Sequence, residues 1–248
     1  MELIESKSLL AKLMATENLT VEQRQVPTAQ FDVKNRILTL PILDNNISGY
    51  LYDLLCGHEV GHALYTPEEG IRKALELKLP MSLMNVLEDS RIERKIKTKY
   101  PGIRASFVRG YSELIAKDFF GTAGVDMNTL NFIDRVNLFC KGGPTQGIKF
   151  NEEETSLLKE IESTQTYDDV IELAIRIGEF MKDQAKEAEK KRIESGDQDE
   201  DEEFDNDGYE DSEEETEEME FNPNSPEGNY DEDSFQQSDE VKENEQSG

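Results

Sequence analysis

Cysteine, histidine and long apolar runs are all scarce in this chain, and each shortage narrows what it can be. The two cysteines, Cys56 and Cys140, are too few for a disulfide framework. They sit in apolar stretches, Leu54-Leu55-Cys56 and Leu138-Phe139-Cys140, which predicts buried free thiols in a reducing cytoplasm. No stretch approaches the apolar length that spans a bilayer, and Met1-Glu2-Leu3-Ile4-Glu5 lacks a basic start followed by an apolar run, so neither a membrane segment nor a secretory leader is expected. Basic residues are also few, 27 Lys and Arg against 55 Asp and Glu for a net charge of −28, and direct nucleic-acid binding is not expected.

The acidity is unevenly spread. Residues 194 to 248 hold 25 of the acids and one lysine, whereas the first 193 residues are close to balance, with 30 acids and 26 bases. The division predicts one folded domain over 1–193 and an acidic tail over 194–248. Phe204, Tyr209, Phe221, Tyr230 and Phe235 are too sparse to build a core there, and like charges extend the chain, so the tail reads as disordered. It would serve as a solubilising segment, a dock for a basic partner, or a mimic of nucleic-acid charge. Glu203, Asp205, Asp207, Gly208 and Glu214 fall at calcium-loop positions, but Glu210 and the lack of flanking amphipathic helices argue against such a site.

Apolar spacing gives the folded part a mainly helical α+β reading with a small sheet. Leu3 to Met14 has a helical pattern, and the alternation from Phe31 to Ile42 reads as a hairpin turning at Lys34-Asn35 and stopped or edged by Pro41. Capping residues from Asp44 to Ser48 precede an unbroken run from Gly49 to Thr66, which ends before Pro67. Further helices are predicted at 68–78, 82–99, 103–118, 128–139, 152–163 and 167–193, with Asn151 and Glu154 as a capping box.

Both histidines of the chain lie in one pentapeptide, His58-Glu59-Val60-Gly61-His62. So few histidines would meet at this spacing beside a glutamate in roughly one chain in a thousand by chance. On a helix, four residues advance slightly more than one turn, so the two rings share a face and can converge on one zinc ion. Glu59 then points beside the metal, where it can take a proton from the attacking water and pass it to a leaving amine. Gly61 leaves room next to the rings.

A catalytic zinc needs a third protein ligand and an open position. With no histidine left, that ligand is a carboxylate, or else Cys56 or Cys140. The helix carrying Leu83-Met84-Asn85-Val86-Leu87-Glu88-Asp89-Ser90-Arg91-Ile92-Glu93-Arg94 has the apolar face needed to pack on the motif helix and aim an acid inward. Glu88 is the first choice and Asp89 the alternative. Asn85, Asp89 and Glu93 share a face, so Asp89 or Glu93 could instead hold a ligand histidine from behind. Glu88 and Arg91 could also form a plain surface pair.

His58 to Pro67 together with Leu87-Glu88-Asp89-Ser90-Arg91-Ile92-Glu93 resembles the metallopeptidase-like half of proteins that also carry a von Willebrand A domain. These include chelatase-subunit-like proteins of bacteria and related proteins of large tailed bacteriophages. The resemblance covers roughly residues 25 to 140. It implies a zincin-like fold, Glu88 as the acidic ligand, Arg91 and Glu93 as a structural pair, a ring-forming ATPase of the AAA type as partner, and the host cytoplasm as location if the chain is phage-encoded. No Asp-x-Ser-x-Ser metal-adhesion sequence is present in these 248 residues.

Two classes of function follow. One is a zinc-dependent peptidase acting on a protein or peptide, with the arm from Ile37 to Ile42 pairing with an extended substrate and Tyr65, Tyr100, Tyr111 or an arginine stabilising the oxyanion. The other is a non-catalytic zinc-containing binding or assembly protein that works through its acidic tail.

Overall fold

The structure, a computed structural model, describes residues 19–26, 29–42 and 48–195. The helix expected over Leu3 to Met14, the acidic tail and the calcium-like spacing within it lie outside these residues. The described chain is mainly helical with one small sheet, as its apolar spacing predicts.

The sheet contains β1 (Thr20–Arg24), β2 (Gln30–Asp32) and β3 (Ile37–Pro41) in the order β1-β3-β2. The expected hairpin is present, with β2 antiparallel to β3 and Phe31 opposite Leu38. Asp32 accepts hydrogen bonds from the Asn35 backbone and side chain, and Arg36 takes the left-handed conformation that completes the turn. β1 was not expected, because only Val21 in it is apolar; it pairs in parallel with β3 over its whole length. This addition corrects the substrate-strand expectation: β3 is central, and both of its edges are already paired. Pro41 ends β3 beyond the reach of β2, facing Arg24 on β1 alone.

α1 (Gly49–Tyr65) runs through the middle of the fold. Ser48 caps it, its side-chain oxygen accepting from the Leu51 N–H at 3.1 Å, and Pro67 follows its end. Buried residues occur around nearly its whole circumference, from Leu51, Tyr52 and Leu54 to Val60, Gly61 and Ala63, as required of a helix covered on several sides. The sheet, α3 (Met81–Lys99) and α4 (Arg104–Ala116) provide that cover. Two glycines allow the close approach. A Cβ at Gly110 would stand 2.9 Å from Leu54 Cβ, and one at Gly61 would stand 2.9 Å from Ile92 Cδ1 of α3. Gly61 thus makes room for the neighbouring helix, not for the histidine rings.

α2 (Glu68–Glu76) links α1 to α3. α5 (Phe132–Gly142), α6 (Glu152–Ser163) and α7 (Tyr167–Ser195) complete the bundle. α5 starts four residues later than predicted because Asn131 caps it, accepting from the Asp134 N–H, while Met127–Thr129 forms a short 3₁₀ turn. The capping box at Asn151 and Glu154 is formed, and Glu154 also receives Arg135 of α5 at 2.5 Å. On α7, Val170, Ile171, Ala174 and Ile177 are buried, and the helix packs on α3. No helix among the described residues is long and apolar enough to cross a membrane.

Candidate metal centre

The buried His62 and the half-buried His58 bring polar groups into the middle of a helix that is otherwise covered by apolar neighbours, and such groups need partners. α3 supplies most of them. Because Gly61 admits Ile92, α3 lies close enough to α1 for Asp89 to reach both rings. Asp89 Oδ1 stands 3.5 Å from His58 Nε2 and 3.3 Å from His62 Nε2, and the two Nε2 atoms are 3.2 Å apart. Four-coordinate zinc with bonds of about 2.0–2.2 Å spaces its donor atoms about 3.3–3.5 Å apart. His58, His62 and Asp89 therefore form a group that could hold a metal ion, and it is the only such group among the described residues.

Each ring turns Nε2 inward because its Nδ1 is engaged elsewhere. His58 Nδ1 meets Glu93 Oε1 at 3.1 Å, and the Tyr111 hydroxyl of α4 donates to the same oxygen while Lys97 meets Oε2 at 3.1 Å. His62 Nδ1 meets Thr66 Oγ1 at 3.0 Å, one helical turn further on. Thr66 in turn donates to Glu88 Oε1 at 2.5 Å, and Arg91 holds both Glu88 oxygens, at 2.6 and 2.7 Å. The Arg91 fork also reaches the carbonyls of Tyr65, at the end of α1, and of Gln165, before α7. These are the outer partners that fix tautomer and ring orientation at metal sites.

The acid grouped with the two histidines is thus Asp89, the alternative, and not Glu88, the first choice. Adjacent helical residues point about 100° apart, so only one of the two can face the histidines. Glu88 faces the other way and is neutralised by Arg91 in a pair with 3% of each side chain exposed, so it is not a surface pair either. The expected pairing of Arg91 with Glu93 is likewise replaced: Arg91 binds Glu88, and Glu93 backs His58, the second role considered for it. Cys56 is buried and Cys140 lies against Ser90, with burial pushing its thiol up to about 11; neither joins the group. Thr66 and Lys141, the latter 3.5 Å from Asp89 Oδ2, were not expected. The place of Thr66 four residues after His62 is a signal the sequence does hold, whereas nothing marks Lys141.

The electrostatics suit a cation. Burial opposes charge on His58, but Asp89, the hydrogen bond to Glu93 and the nearby Glu59 outweigh it and raise the ring to about 9. Burial would raise the Asp89 carboxyl, yet His58, Lys141 and His62 hold it well below the usual range. Glu59 is 7% exposed, and burial raises its carboxyl against the pull of both histidines. The Phe31 N–H of β2 donates to it, tying it to the sheet. Of the expected oxyanion donors, Tyr111 is committed to Glu93, and burial raises it well above the normal phenol range. Tyr65 lies under Lys95, and Tyr100 ends α3. No protein-family model, curated protein or solved structure matches this chain.

Proposed function

We propose that this protein is a zinc-dependent peptidase of zincin-like fold, with His58, His62 and Asp89 as ligands and Glu59 as general base. The observation that carries this reading is the mutual spacing of three donor atoms at 3.2–3.5 Å, from buried His62 and half-buried His58 and Asp89, with a buried glutamate next in sequence to His58. Zinc fits the donor set, since two neutral imidazoles and one carboxylate leave a fourth position open, and when bound it supplies Lewis acidity that makes water a nucleophile near neutral pH.

The chain's own residues have separable tasks. Glu93 and Thr66 keep both Nε2 lone pairs pointed at the centre. Glu59, with its raised carboxyl, takes the proton of the attacking water and returns it to the departing amine; a base whose affinity for protons lies nearer the working pH does this more readily than an ordinary carboxylate. An extended substrate adds beside β2, an outer strand among the described residues, which Phe31 joins to Glu59, and no longer beside β3.

The test is the zinc content and the cleavage of a broad peptide library by wild type and Glu59→Gln. Wild type is expected to bind one zinc and cleave, while Glu59→Gln binds zinc equally and cleaves about 10²–10⁴-fold more slowly. Zinc bound by both with cleavage by neither would assign the metal a structural role. Equal cleavage by both would remove Glu59 from the chemistry.

A further inference from the structure

Lys141 stands apart from the other groups around the histidines. It comes from the last turn of α5, about fifty residues beyond Asp89 in sequence, yet 7% of its side chain is exposed, and its ammonium lies 3.5 Å from Asp89 Oδ2. Its ammonium lies 5.8 Å from the centre of the Phe120 ring, and α5 packs on α3. A buried ammonium needs a counter-charge, and Asp89 provides it. The two oxygens of Asp89 are consequently divided. Oδ1 faces the two Nε2 atoms, and Oδ2 faces Lys141.

We infer that Lys141 is a positioning residue that sets how Asp89 binds metal. The inference rests on the metal reading above and concerns the number of bonds, not the identity of the ligands. A carboxylate is free to bind a divalent ion through one oxygen or through both. With Oδ2 held by an ammonium, Asp89 offers Oδ1 alone. The ion then keeps three protein bonds and an open position; a second bond from Oδ2 would fill the space that water or substrate needs. Lys141 touches neither substrate nor metal and acts only through Asp89.

Cobalt(II) reports this directly, because the intensity of its visible bands falls as coordination rises from four to five. The full chain is stripped of metal, loaded with one equivalent of Co²⁺, and compared with Lys141→Met and Lys141→Arg. Wild type and Lys141→Arg are expected to show intense four-coordinate bands. In Lys141→Met the intensity drops roughly twofold or more, as Asp89 closes on the ion with both oxygens. Lys141→Gln, which keeps a donor without the charge, is read beside Lys141→Met, with circular dichroism to verify folding. Identical intense spectra for wild type and both neutral variants overturn the inference. So does loss of fold in both, which would make Lys141 merely structural. If wild type takes up no cobalt, the metal reading itself fails; if wild type gives the four-coordinate spectrum and the variants do not differ from it, only the role of Lys141 fails.

Discussion

The two histidines are supported by differently built regions. On the His58 side the support is direct and charged: Glu93 accepts from the ring and is itself held by the Tyr111 hydroxyl and Lys97. On the His62 side a neutral hydroxyl stands between the ring and the nearest charge, and the charge behind it, Glu88, is fully matched by Arg91. The difference separates two jobs. The Glu93 side adds to Asp89 in making the centre attractive to a cation, and Asp89 first and Glu93 second raise the His58 ring against its burial. The Thr66-Glu88-Arg91 side fixes the end of α1 against α3 and the start of α7, and it orients His62 as a by-product of that joint.

The sharpest way to break this comparison is to remove each of the adjacent acids in turn. Asp89→Ala is expected to weaken zinc binding by about 10³-fold or more, as loss of one of three protein ligands. Its fold should survive, although Lys141 loses its counter-charge. Glu88→Ala leaves the Arg91 guanidinium buried and unpaired, so it should cost about 3–5 kcal/mol of stability in urea unfolding, with a smaller loss of zinc affinity. Reversal of the two effects would mean that Glu88 is the ligand after all.

Removing the supports comes next. Glu93→Gln should lower zinc affinity about 10–100-fold in a chelator competition, and Thr66→Val should lower it by about tenfold or less, because a hydroxyl relay carries no charge. Equal losses would erase the distinction drawn between the two sides. The pH dependence sharpens it further. In the metal-free protein His58 titrates near 9, above its ordinary 6.5, so near neutrality zinc must displace a proton. Apparent affinity should therefore rise by about tenfold per pH unit between 6.5 and 8.5, and Glu93→Gln should shift that rise to lower pH. The smallest effect is expected at Gly61→Ala, where the added methyl meets Ile92. A loss of about 1–3 kcal/mol in stability, with slightly weaker zinc binding, would follow from pushing α3 away.

Much of the fold was legible because its helices carry strong apolar periods and clear stops. Ser48, Pro67, Asn151 and Glu154 all mark ends that the structure reproduces. β1 was hidden because Thr20 to Arg24 are mostly polar and gain their place only by pairing with β3. The histidine pair was legible because both rings sit on one helix, where spacing alone sets direction. Which acid joins the two rings depends on the rotation of α3 against α1, which sequence spacing does not report. The adjacent acids at 88 and 89 therefore stayed ambiguous, although Arg91, three residues after Glu88, was a sign that Glu88 was already taken. Lys141 could not be foreseen, since it arrives from a helix whose approach to Asp89 is a matter of tertiary packing alone.

The most direct test of the central claim is a zinc titration of the metal-free full chain against a chromophoric chelator, run for wild type, Asp89→Ala and Glu88→Gln. The expected result is one tight zinc in wild type, none in Asp89→Ala, and one retained in Glu88→Gln. Tight zinc in Asp89→Ala with none in Glu88→Gln would contradict the centre described above.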